Sequence, residues 1–522
     1  MSLLLYGAAF CVAFFLSLFL YIRFNDRALQ VTPDRAAKFS PDRCTVDNVK
    51  STSAELQSGP SINVDDQVPA KTGRRYIVTG GAGFLGGWIV VYLIRRGEDP
   101  RNIRVLDIRK PTRPDLRDGI GKDVDYRTVD VTNPEAVQEA FKASWPTKSN
   151  APITVFHSAA NIRFYERDAS LINNSARVNV TGTQNVLDAA RAVGTSILIS
   201  TSSASIGVRA TSLFLSPWHR EPDFFVQVIN DDDSIIPKRH EGFFSNYAYT
   251  KREGEKLVRA ADRSASGGGI IRTGCIRPAN GVYGPGGDML LGAYLARKVN
   301  PTWISNVIQN CIYVENCALA HLLYERRLLD LESGSTNPDI GGDAFSVTDP
   351  GPPPTYGDMY ITLSTLTNGE AAFPEISPTA MYMFSYLIEF YYLLRTRMLS
   401  SSFWPVFKFL LPPVNGDLVN LQPSLFHFTS VHLIFDDSRA RLPPEKGGLG
   451  YKGAWTTIQG MHHLVKEHLS GVNRSEQRSD MAGVSFGFGM VRAQRGVAEV
   501  GEKVKEEIGI DPVTTLGTTA QR

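Results

Sequence analysis

Two residues whose types and spacing suit proton transfer are Tyr247 and Lys251, in the segment YAYTK. A helix is predicted from Tyr247 to Ala261, and residues four apart on a helix lie on the same face. A lysine ammonium beside a phenol stabilises phenolate, so the phenol pKa is expected to fall from about 10 toward a value usable at neutral pH. The pattern YxxxK is also common by chance on helix surfaces, so it needs support from elsewhere in the chain.

A cluster of hydroxyl groups gives the first such support. A predicted strand at Ser196–Ser200 runs into Thr201, Ser202 and Ser203. Ligands in open parallel sheets bind beyond the carboxyl ends of the strands, so Ser203 could reach a substrate held near Tyr247. Serine clusters also form ordinary turns. Only the combination with the tyrosine, the lysine and a nucleotide site favours the chemical interpretation.

The element that must position these groups is the segment RRYIVTGGAGFLGG. A predicted buried strand at Tyr76–Val78 is followed by Gly80, Gly83 and Gly86 at three-residue intervals, and then by an apolar helical pattern. Glycine can take positive φ and has no Cβ, so a pyrophosphate can approach backbone N–H groups at the helix N-terminus. Roughly 20 residues further on, a second predicted strand, Ile103–Asp107, would deliver the Asp107 carboxylate to the adenosine ribose hydroxyls. This order of elements predicts a dinucleotide site.

After Asp107, short apolar runs keep alternating with helix-like segments, which is typical of successive βαβ units on a parallel sheet. Further strands are predicted at Val124–Asp130 and Ile153–His157. The predicted fold class is α/β, a Rossmann-type doubly wound parallel sheet with a smaller C-terminal substrate region and an N-terminal transmembrane helix. Asp130 would either hydrogen-bond adenine or occupy a solvated turn. His157 is expected to be a positioned structural group rather than a base, and Asn179 to tie two sheet segments together or simply to sit in a helix.

The N-terminus is predicted to be a membrane anchor, residues 1–22. Its 20-residue run from Leu3 to Ile22 carries no charge, enough for a helix to cross a hydrocarbon core of about 30 Å. The length of the run, the absence of a preceding Lys or Arg and the absence of an A-x-A-like site favour a retained anchor over a cleaved signal peptide. Arg23 and Arg27 then predict a cytosolic main domain. The polar segment 23–73, without a sustained apolar period, is predicted to be a flexible linker.

Composition excludes several classes of protein. With 522 residues, 43% hydrophobic and 21% charged, the chain can bury a large core. A net charge of +2 without a dense basic run gives no electrostatic reason to expect nucleic acid. Five cysteines without a CxxC pair favour a reducing compartment and argue against structural zinc, so no metal is expected.

Several motifs together resemble the extended short-chain dehydrogenase/reductase superfamily, and more narrowly its 3β-hydroxysteroid dehydrogenase/isomerase branch, which includes sterol-4α-carboxylate 3-dehydrogenases. They are TGGAGFLG, STSS, YAYTK, IRPANGVYGPGG, YVENCALAH, DDSRA and LGY, spread over roughly residues 74–468. The resemblance implies a catalytic triad of Ser203, Tyr247 and Lys251. The expected cofactor-binding residues are Gly80, Gly83, Phe84, Leu85, Gly86, Asp107, Asp130, Lys251 and Pro278. The segment between the serine and the tyrosine is longer than the family pattern, and its insertion PWHREPDFFVQVINDDDS is expected to reshape the entrance.

The resemblance implies oxidation of the 3β-hydroxyl of a sterol-like substrate. Ser203 would hydrogen-bond the hydroxyl, Tyr247 would take its proton, and Lys251 would hold the phenol and the nicotinamide ribose. If the neighbouring carbon carries a carboxylate, the product is a β-keto acid, which loses CO₂ without another catalytic group. The sequence indicates no acid/base residue for isomerisation. Asp107 favours NAD over NADP because a carboxylate repels a 2′-phosphate, although the nearby basic residues of IRK weaken that preference.

Three other functions stay open: an NADPH-dependent ketone reductase of terpenoid metabolism, a sugar-nucleotide epimerase on the same fold, and a non-catalytic NAD-binding membrane scaffold. The aromatic-rich segments 381–397 and 403–411 fit helices lying in a bilayer interface, which would favour a lipophilic substrate, or else core helices. Expected partners are therefore a sterol- or terpenoid-like substrate and membrane lipid, with a homodimer left open. The expected location is the endoplasmic reticulum membrane, with a single span and a cytosolic catalytic domain.

The predicted division gives residues 74–275 to NAD(P) binding and residues 276–470 to the substrate, including membrane-associated helices at 381–411. Residues 471–522 form a tail to which no function is assigned. Three family-like residues of YVENCALAH are expected to pack in the buried core: Tyr313, Asn316 and His321.

Overall fold

A computed structural model describes residues 2–59, 62–400 and 411–471. Its centre is a seven-stranded sheet in which every neighbouring pair is parallel. In spatial order the strands are β3 (Asp125–Thr128), β2 (Ile103–Asp107), β1 (Arg75–Thr79), β4 (Ile153–His157), β5 (Ile197–Thr201), β9 (Arg272–Pro278) and β12 (Ala344–Val347). The order reverses direction between β1 and β4, so the carboxyl ends of these two strands flank the crevice in which a doubly wound sheet binds its ligand. The predicted Rossmann-type fold is confirmed.

Shorter strands form three two-stranded ribbons. They are β6 (Val226–Ile229) with β13 (His432–Phe435), β10 (Val282–Tyr283) with β11 (Ile312–Tyr313), and β7 (Ala265–Ser266) with β8 (Gly269–Ile270). The insertion noted in the sequence contributes one strand, β6, to the first of these ribbons. Its parallel pairing with β13 attaches the insertion to the C-terminal part of the chain.

The helices lie around this sheet. They are α1 (Ser2–Leu29), α2 (Asp34–Ala37), α3 (Val46–Ser58), α4 (Phe84–Arg95), α5 (Pro114–Arg117), α6 (Pro134–Lys142), α7 (Ile172–Ala176), α8 (Thr183–Ala192), α9 (Asn246–Ala260), α10 (Leu291–Arg297), α11 (Val314–Glu332), α12 (Tyr356–Leu366), α13 (Pro378–Leu399), α14 (Asp417–Asn420), α15 (Pro423–Thr429), α16 (Ser438–Arg441) and α17 (Thr457–Ser470). Alternate residues of β1 show that both faces of the sheet are covered. Tyr76 and Val78 are buried in the cluster that contains α4 and α11, whereas Ile77 is buried with α6 and α8.

Residues beyond 276 also belong to this sheet. Strand β12 extends it by pairing with β9, and α11 packs against α4. The predicted boundary at residue 276 is therefore not a boundary between two folded units, because the sheet continues across it. It separates only the two roles proposed for the chain.

The N-terminal segment differs from the flexible linker expected over residues 23–73. Helix α1 continues to Leu29, and α2 and α3 follow it. Asn25 and Val49 are fully buried, and Arg43 forms a 2.8 Å ion pair with Asp358. A few isolated buried side chains fix this segment, and their spacing is too irregular to appear as an apolar period in a polar sequence. By length and composition, α1 is the one helix in the described residues that could span a membrane.

The aromatic segment at 381–397 lies within α13, a single helix with a buried side and an exposed side. Residues 401–410 and 472–522 are outside the described residues. The predicted second aromatic segment and the tail fall almost entirely there.

Candidate active site

Helix α9 positions two of the three predicted catalytic residues. Its N-terminus is capped by Ser245, whose hydroxyl accepts from Ala248 N at 3.2 Å. Tyr247 lies in the first turn and Lys251 one turn later, as the sequence predicted. The helix comes very close to the chain before it, because a Cβ on Gly254 would lie 2.2 Å from the Asn179 carbonyl oxygen. Glycine at this position therefore sets how deeply the catalytic helix lies.

Ser203 and Tyr247 are brought together. Ser203 follows β5 in an extended conformation and begins the short helical turn Ala204–Gly207. Its hydroxyl lies 2.7 Å from the Ser205 hydroxyl, and it is close enough to the Tyr247 phenol to lower the pKa of that phenol. Both Ser203 and Tyr247 are half-buried, so the pair is reachable from outside the core. A hydroxyl of a bound molecule would meet both groups at once.

The pKa of Tyr247 shifts in the opposite direction to the one expected. Burial raises it to about 12, and the hydrogen bond with Ser203 lowers it only in part. Lys251 does not offset this shift, because its ammonium donates to the backbone carbonyl of Thr201 at 2.5 Å. Burial in turn lowers the pKa of Lys251 to about 8, against the opposing charge of Glu255. The predicted lowering of the phenol pKa is therefore wrong for this arrangement, because the effect of burial outweighs that of Ser203.

Behind the triad lies a buried ion pair that the sequence analysis missed. Glu255, one turn after Lys251, is 2.6 Å from Arg277 and accepts from the Ser202 hydroxyl at 2.6 Å. Asp233, in the insertion, is 2.7 Å from the same guanidinium. These contacts join α9, the end of β5, strand β9 and the insertion behind the catalytic groups. The spacing of Glu255 four residues after Lys251 was the available signal.

On the other side of the crevice, the glycine turn is built from close backbone contacts. Gly80 has φ +73°, and a Cβ there would lie 2.8 Å from Ala159 N. A Cβ on Gly86 would lie 2.3 Å from the Gly80 carbonyl oxygen. Gly83 precedes α4, so Phe84 and Leu85 are the first residues of that helix, where N–H groups lack an intrahelical acceptor. A backbone cradle at a helix N-terminus fits a pyrophosphate.

The two predicted acidic contacts differ. Asp107 ends β2, and its carboxylate accepts from Ala82 N and Arg109 N, both at 3.1 Å. Burial raises the pKa of Asp107. This carboxylate thus stabilises the glycine turn, and it lies at the end of β2, the position expected for a contact with the ribose. Asp130 is exposed and accepts from Thr132 N at 2.9 Å, as a turn residue does, and its contact with adenine stays a prediction. The role of Pro278, buried at the end of β9, also stays a prediction.

The remaining polar residues near the crevice serve the scaffold. His157 contacts Thr79 Oγ1 at 2.6 Å and Thr183 Oγ1 at 3.0 Å, and burial lowers its pKa to about 3. This neutral, fully bonded ring agrees with the expected structural histidine. Asn179 lies in the π-helical turn Arg177–Gly182, which agrees with the helical interpretation. Its amide ties the loop at Asn161 to helix α9, so it does not join two sheet segments.

The family-like residues of the later motif are buried, as expected. Tyr313 and Asn316 are fully enclosed, and the Asn316 amide donates to Asp349 at 2.8 Å. His321 is also fully buried, and its Nε2 lies 2.8 Å from the Thr201 hydroxyl. Burial lowers the pKa of His321 to about 4, so the ring is neutral and supports the strand end that bears the serine.

Solved structures with a similar chain path include two bacterial UDP-glucose 4-epimerases. The enzyme from Thermotoga maritima, solved with UDP-glucose, is 16% identical with a TM-score of 0.48, and the match covers 76% of this chain and 100% of the other. The enzyme from Thermus thermophilus, solved with NAD, is 18% identical with a TM-score of 0.46, covering 76% of this chain and 99% of the other. At these identities the similarity concerns the fold alone.

Sequence comparison is more specific. A 3beta-hydroxysteroid-dehydrogenase/decarboxylase of Arabidopsis thaliana, isoform 2, is 28% identical over 421 residues. The match covers 76% of this chain and 63% of that protein, so the chain spans less than two thirds of the length of this relative. The 3 beta-hydroxysteroid dehydrogenase/Delta 5-->4-isomerase of Vaccinia virus (strain Ankara) is 30% identical over 294 residues, which is 55% of this chain and 75% of the viral protein.

The model of the 3-beta hydroxysteroid dehydrogenase/isomerase family matches residues 77–371, more than half of the chain. The matched range contains the glycine turn, Asp107, the triad residues and the strand that ends at Pro278. This confirms the resemblance seen in the sequence motifs. The chain belongs to the 3-beta hydroxysteroid dehydrogenase/isomerase family, whose members are NAD(P)-dependent oxidoreductases.

Proposed function

We propose that this protein is a membrane-anchored dehydrogenase that oxidises the 3β-hydroxyl of a sterol-like substrate with NAD, NADP being the alternative. The observation that carries the proposal is that Ser203 and Tyr247 lie together at the carboxyl edge of the sheet, close enough for Ser203 to lower the pKa of the phenol, with Lys251 one turn behind. A binding scaffold would have no use for this combination of side chains. The relatives named for 3β-hydroxysteroid oxidation support the substrate class.

In this proposal residues 74–275 hold the cofactor and residues 276–470 shape the substrate side. The N–H groups of Phe84 and Leu85 would bind the pyrophosphate, and Asp107 the adenosine ribose. A carboxylate at that ribose favours NAD because it repels a 2′-phosphate. When bound, the cofactor supplies the hydride acceptor.

The chain's own residues would perform the proton chemistry. Ser203 holds the substrate hydroxyl and Tyr247 takes its proton, while Lys251 supplies positive charge from behind the phenol. A positioned base of this kind contributes roughly 10²- to 10⁴-fold to the rate. Because the pKa of Tyr247 is about 12, most phenols are neutral at pH 7, and the reactive phenolate is a minor form.

A 4α-carboxylated substrate would carry the reaction one step further. Oxidation of the 3β-hydroxyl places a carbonyl next to the carbon that bears the carboxylate. The C–C bond to the carboxylate then breaks, its electron pair passes into the carbonyl as an enolate, and CO₂ leaves. No residue beyond the triad is needed, which suits a site whose other polar groups serve the scaffold.

The membrane part of the proposal rests on α1. Its uncharged run is long enough to cross a bilayer, and the arginines that follow favour a catalytic domain on the cytosolic side. The membrane in this proposal is that of the endoplasmic reticulum. An anchored enzyme would meet a lipophilic alcohol where that alcohol is dissolved.

A second candidate is a ketone reductase with the same triad. The neutral phenol of Tyr247 favours it, because a protonated tyrosine is ready to donate to a carbonyl oxygen. In this direction the same groups act in reverse, with NADPH as the hydride donor.

The test is a substrate panel on the purified full-length protein. With NAD and 3β-hydroxysterols, NADH absorbance is expected for members of the panel, and release of CO₂ only for those with a 4α-carboxylate. Turnover restricted to NADPH and ketones would select the second candidate. Silence with both sets, alongside measurable cofactor binding, would leave the dehydrogenase proposal without support.

A further inference from the structure

The C-terminal end of the apolar helix α1 is hydrogen-bonded to the catalytic domain. Asn25 is fully buried, donates to the Leu213 carbonyl at 2.9 Å and accepts from Leu215 N at 3.0 Å. Tyr21, one turn earlier, donates to the Leu215 carbonyl at 3.2 Å. The segment Leu213–Leu215, which we call the strap, is thus held to α1 by three hydrogen bonds. It follows the catalytic turn at Ser203 by only ten residues.

The next residue, Asp26, holds the start of a different helix. One carboxylate oxygen accepts from Ser377 Oγ at 3.0 Å and from Thr379 N at 2.9 Å, at the N-terminus of α13. A carboxylate at a helix N-terminus is stabilised by the N–H groups and the helix dipole. Asn25 adds a 2.8 Å bond to Thr379 Oγ1. Two consecutive residues of α1 therefore fix both the strap and α13.

The contacts of Asn25 and Asp26 lie just beyond the predicted span, whereas Tyr21 is one of its last residues. Asn25 is three residues after Ile22, which is about 4.5 Å along a helix axis. At that distance from the hydrocarbon, Asn25 and Asp26 would lie at the depth of the lipid headgroups. Fixed contacts at this depth set the tilt of the catalytic domain against the bilayer, which a flexible linker could not do.

A second apolar surface is held by the same two residues. Helix α13 exposes Phe384, Leu387 and Phe390 at 41%, 64% and 67%. Their spacing of three residues places them along one stripe, and Ser385 and Glu389 on the same helix are buried. A stripe of large exposed apolar side chains marks an interaction site.

The loop after the strap adds an aromatic and basic group. Trp218 is 80% exposed and lines a shallow recess together with Phe24 and Arg27 of α1 and with Arg220. Tryptophan at headgroup level and arginine beside phosphate are the residue types that a phospholipid interface favours. Phe214, within the strap, packs on Tyr382 of α13 with ring centroids 4.6 Å apart, so the loop and the stripe are mechanically connected.

We propose that Asn25 and Asp26 form a rigid joint that presses a second surface, made of Trp218 and the Phe384/Leu387/Phe390 stripe, into the phospholipid interface of the membrane that α1 spans. The inference rests on the membrane anchoring in the proposed function, but not on the substrate or the reaction. It makes the bilayer the occupant of this surface and places the chain that follows Ser203 at the lipid boundary.

The test uses the full-length protein in phospholipid nanodiscs, with lipids brominated in the upper acyl chain as quenchers of tryptophan fluorescence. The contribution of Trp218 is the difference between the wild-type signal and that of Trp218→Phe. We expect brominated lipid to reduce that contribution about twofold or more, as for an interfacial tryptophan. An unquenched Trp218 in protein that floats with lipid would overturn the second contact while leaving the anchor intact.

The joint is tested by Asp26→Ala against Asp26→Asn. Asparagine keeps the oxygen that accepts from Ser377 and Thr379, so quenching of Trp218 should persist, whereas alanine should largely remove it. Equal quenching in the two variants would overturn the joint.

If the alanine variant does not fold, Leu387→Glu tests the surface without touching the joint. A charge on the exposed stripe should draw it out of the lipid and reduce the quenching of Trp218, and undiminished quenching would contradict the proposal. All these readouts are independent of turnover, so a silent substrate panel with a quenched Trp218 would reject the enzyme assignment alone. Protein that fails to float with lipid would reject the anchor and the joint together.

Discussion

The glycine turn and the catalytic helix face the same edge of the sheet and are held in place by different forces. At the glycine turn the backbone of Gly86 approaches the Gly80 carbonyl so closely that a Cβ would lie 2.3 Å from its oxygen. At the catalytic helix the scaffold is a buried pair of charges, Glu255 and Arg277, 2.6 Å apart. The glycine turn therefore depends on residues without a Cβ, whereas the catalytic helix depends on a pair of charged side chains.

This difference determines how each side can fail. A bulkier residue at the glycine turn pushes backbone against backbone, so its main effect should be on cofactor binding. Removal of Glu255 leaves the buried Arg277 with only the partly exposed Asp233 as its acidic partner, so the main effect should be on stability. The phenol of Tyr247, in the first turn of the catalytic helix, should affect turnover alone.

The largest effect is expected for Tyr247→Phe, which removes the proton acceptor and keeps the ring. The turnover number should fall by about 10²- to 10⁴-fold, while the dissociation constant of NADH stays unchanged because the packing of the ring is retained. Steady-state kinetics and a fluorescence titration of NADH measure the two quantities. A turnover number within about threefold of wild type would remove the phenol from the mechanism.

Glu255→Ala should lower the free energy of unfolding by about 3 to 5 kcal/mol, because Arg277 is then buried without its main partner. The matched control is Glu253→Ala on the same helix, which removes a partly exposed pair with Lys256. That change should cost at most about 1 kcal/mol. Denaturant titrations in detergent compare the two, and equal losses would show that burial of the pair contributes nothing.

Gly86→Ala should weaken cofactor binding by about 2 kcal/mol, through the forced separation of the turn from α4. Gly83→Ala is the control. Gly83 has φ −84°, where alanine is unstrained, and a Cβ there would be 3.1 Å from its nearest neighbour. NADH titrations of both variants measure the difference. Equal affinities would argue against a cradle set by the missing Cβ of Gly86.

The oxidation rate should also depend on pH. Because the pKa of Tyr247 is raised to about 12, the phenolate fraction grows about tenfold per pH unit at lower pH. The pKa of Lys251, lowered to about 8, means that its positive charge is lost above that pH. The rate should therefore rise from pH 6 to pH 8 and level off above it, with cofactor affinity measured at each pH as the control. A rate that falls over pH 6 to 8 would contradict these roles.

Several parts of the fold and site could be predicted from local sequence. The strands at Ile103–Asp107 and Ile153–His157 were predicted with the ends they have in the structure, and the catalytic helix within one residue. Such elements carry their own signals, because apolar runs, glycines and four-residue spacing act over a few neighbouring positions. The triad of Ser203, Tyr247 and Lys251 is implied by the family resemblance, and its catalytic role stays a prediction.

Other features could not be predicted because they depend on distant contacts. The polar stretch after residue 22 gave no sign that Asn25 would be buried against Leu213 and Thr379. Arg277 gave no sign of its partner either, since a charged residue in an apolar strand is interpretable only when the opposing helix is in place.

The sequence by itself determined the order of the βαβ units, the glycine turn and the pairing of Tyr247 with Lys251 on one helix face, because each follows from short-range geometry. Only the tertiary structure decided which way the phenol pKa moves and where the end of α1 is held. Both depend on how much water and how many partners surround a group, and those surroundings come from distant segments, 50 residues away for Lys251 and 354 for Asn25.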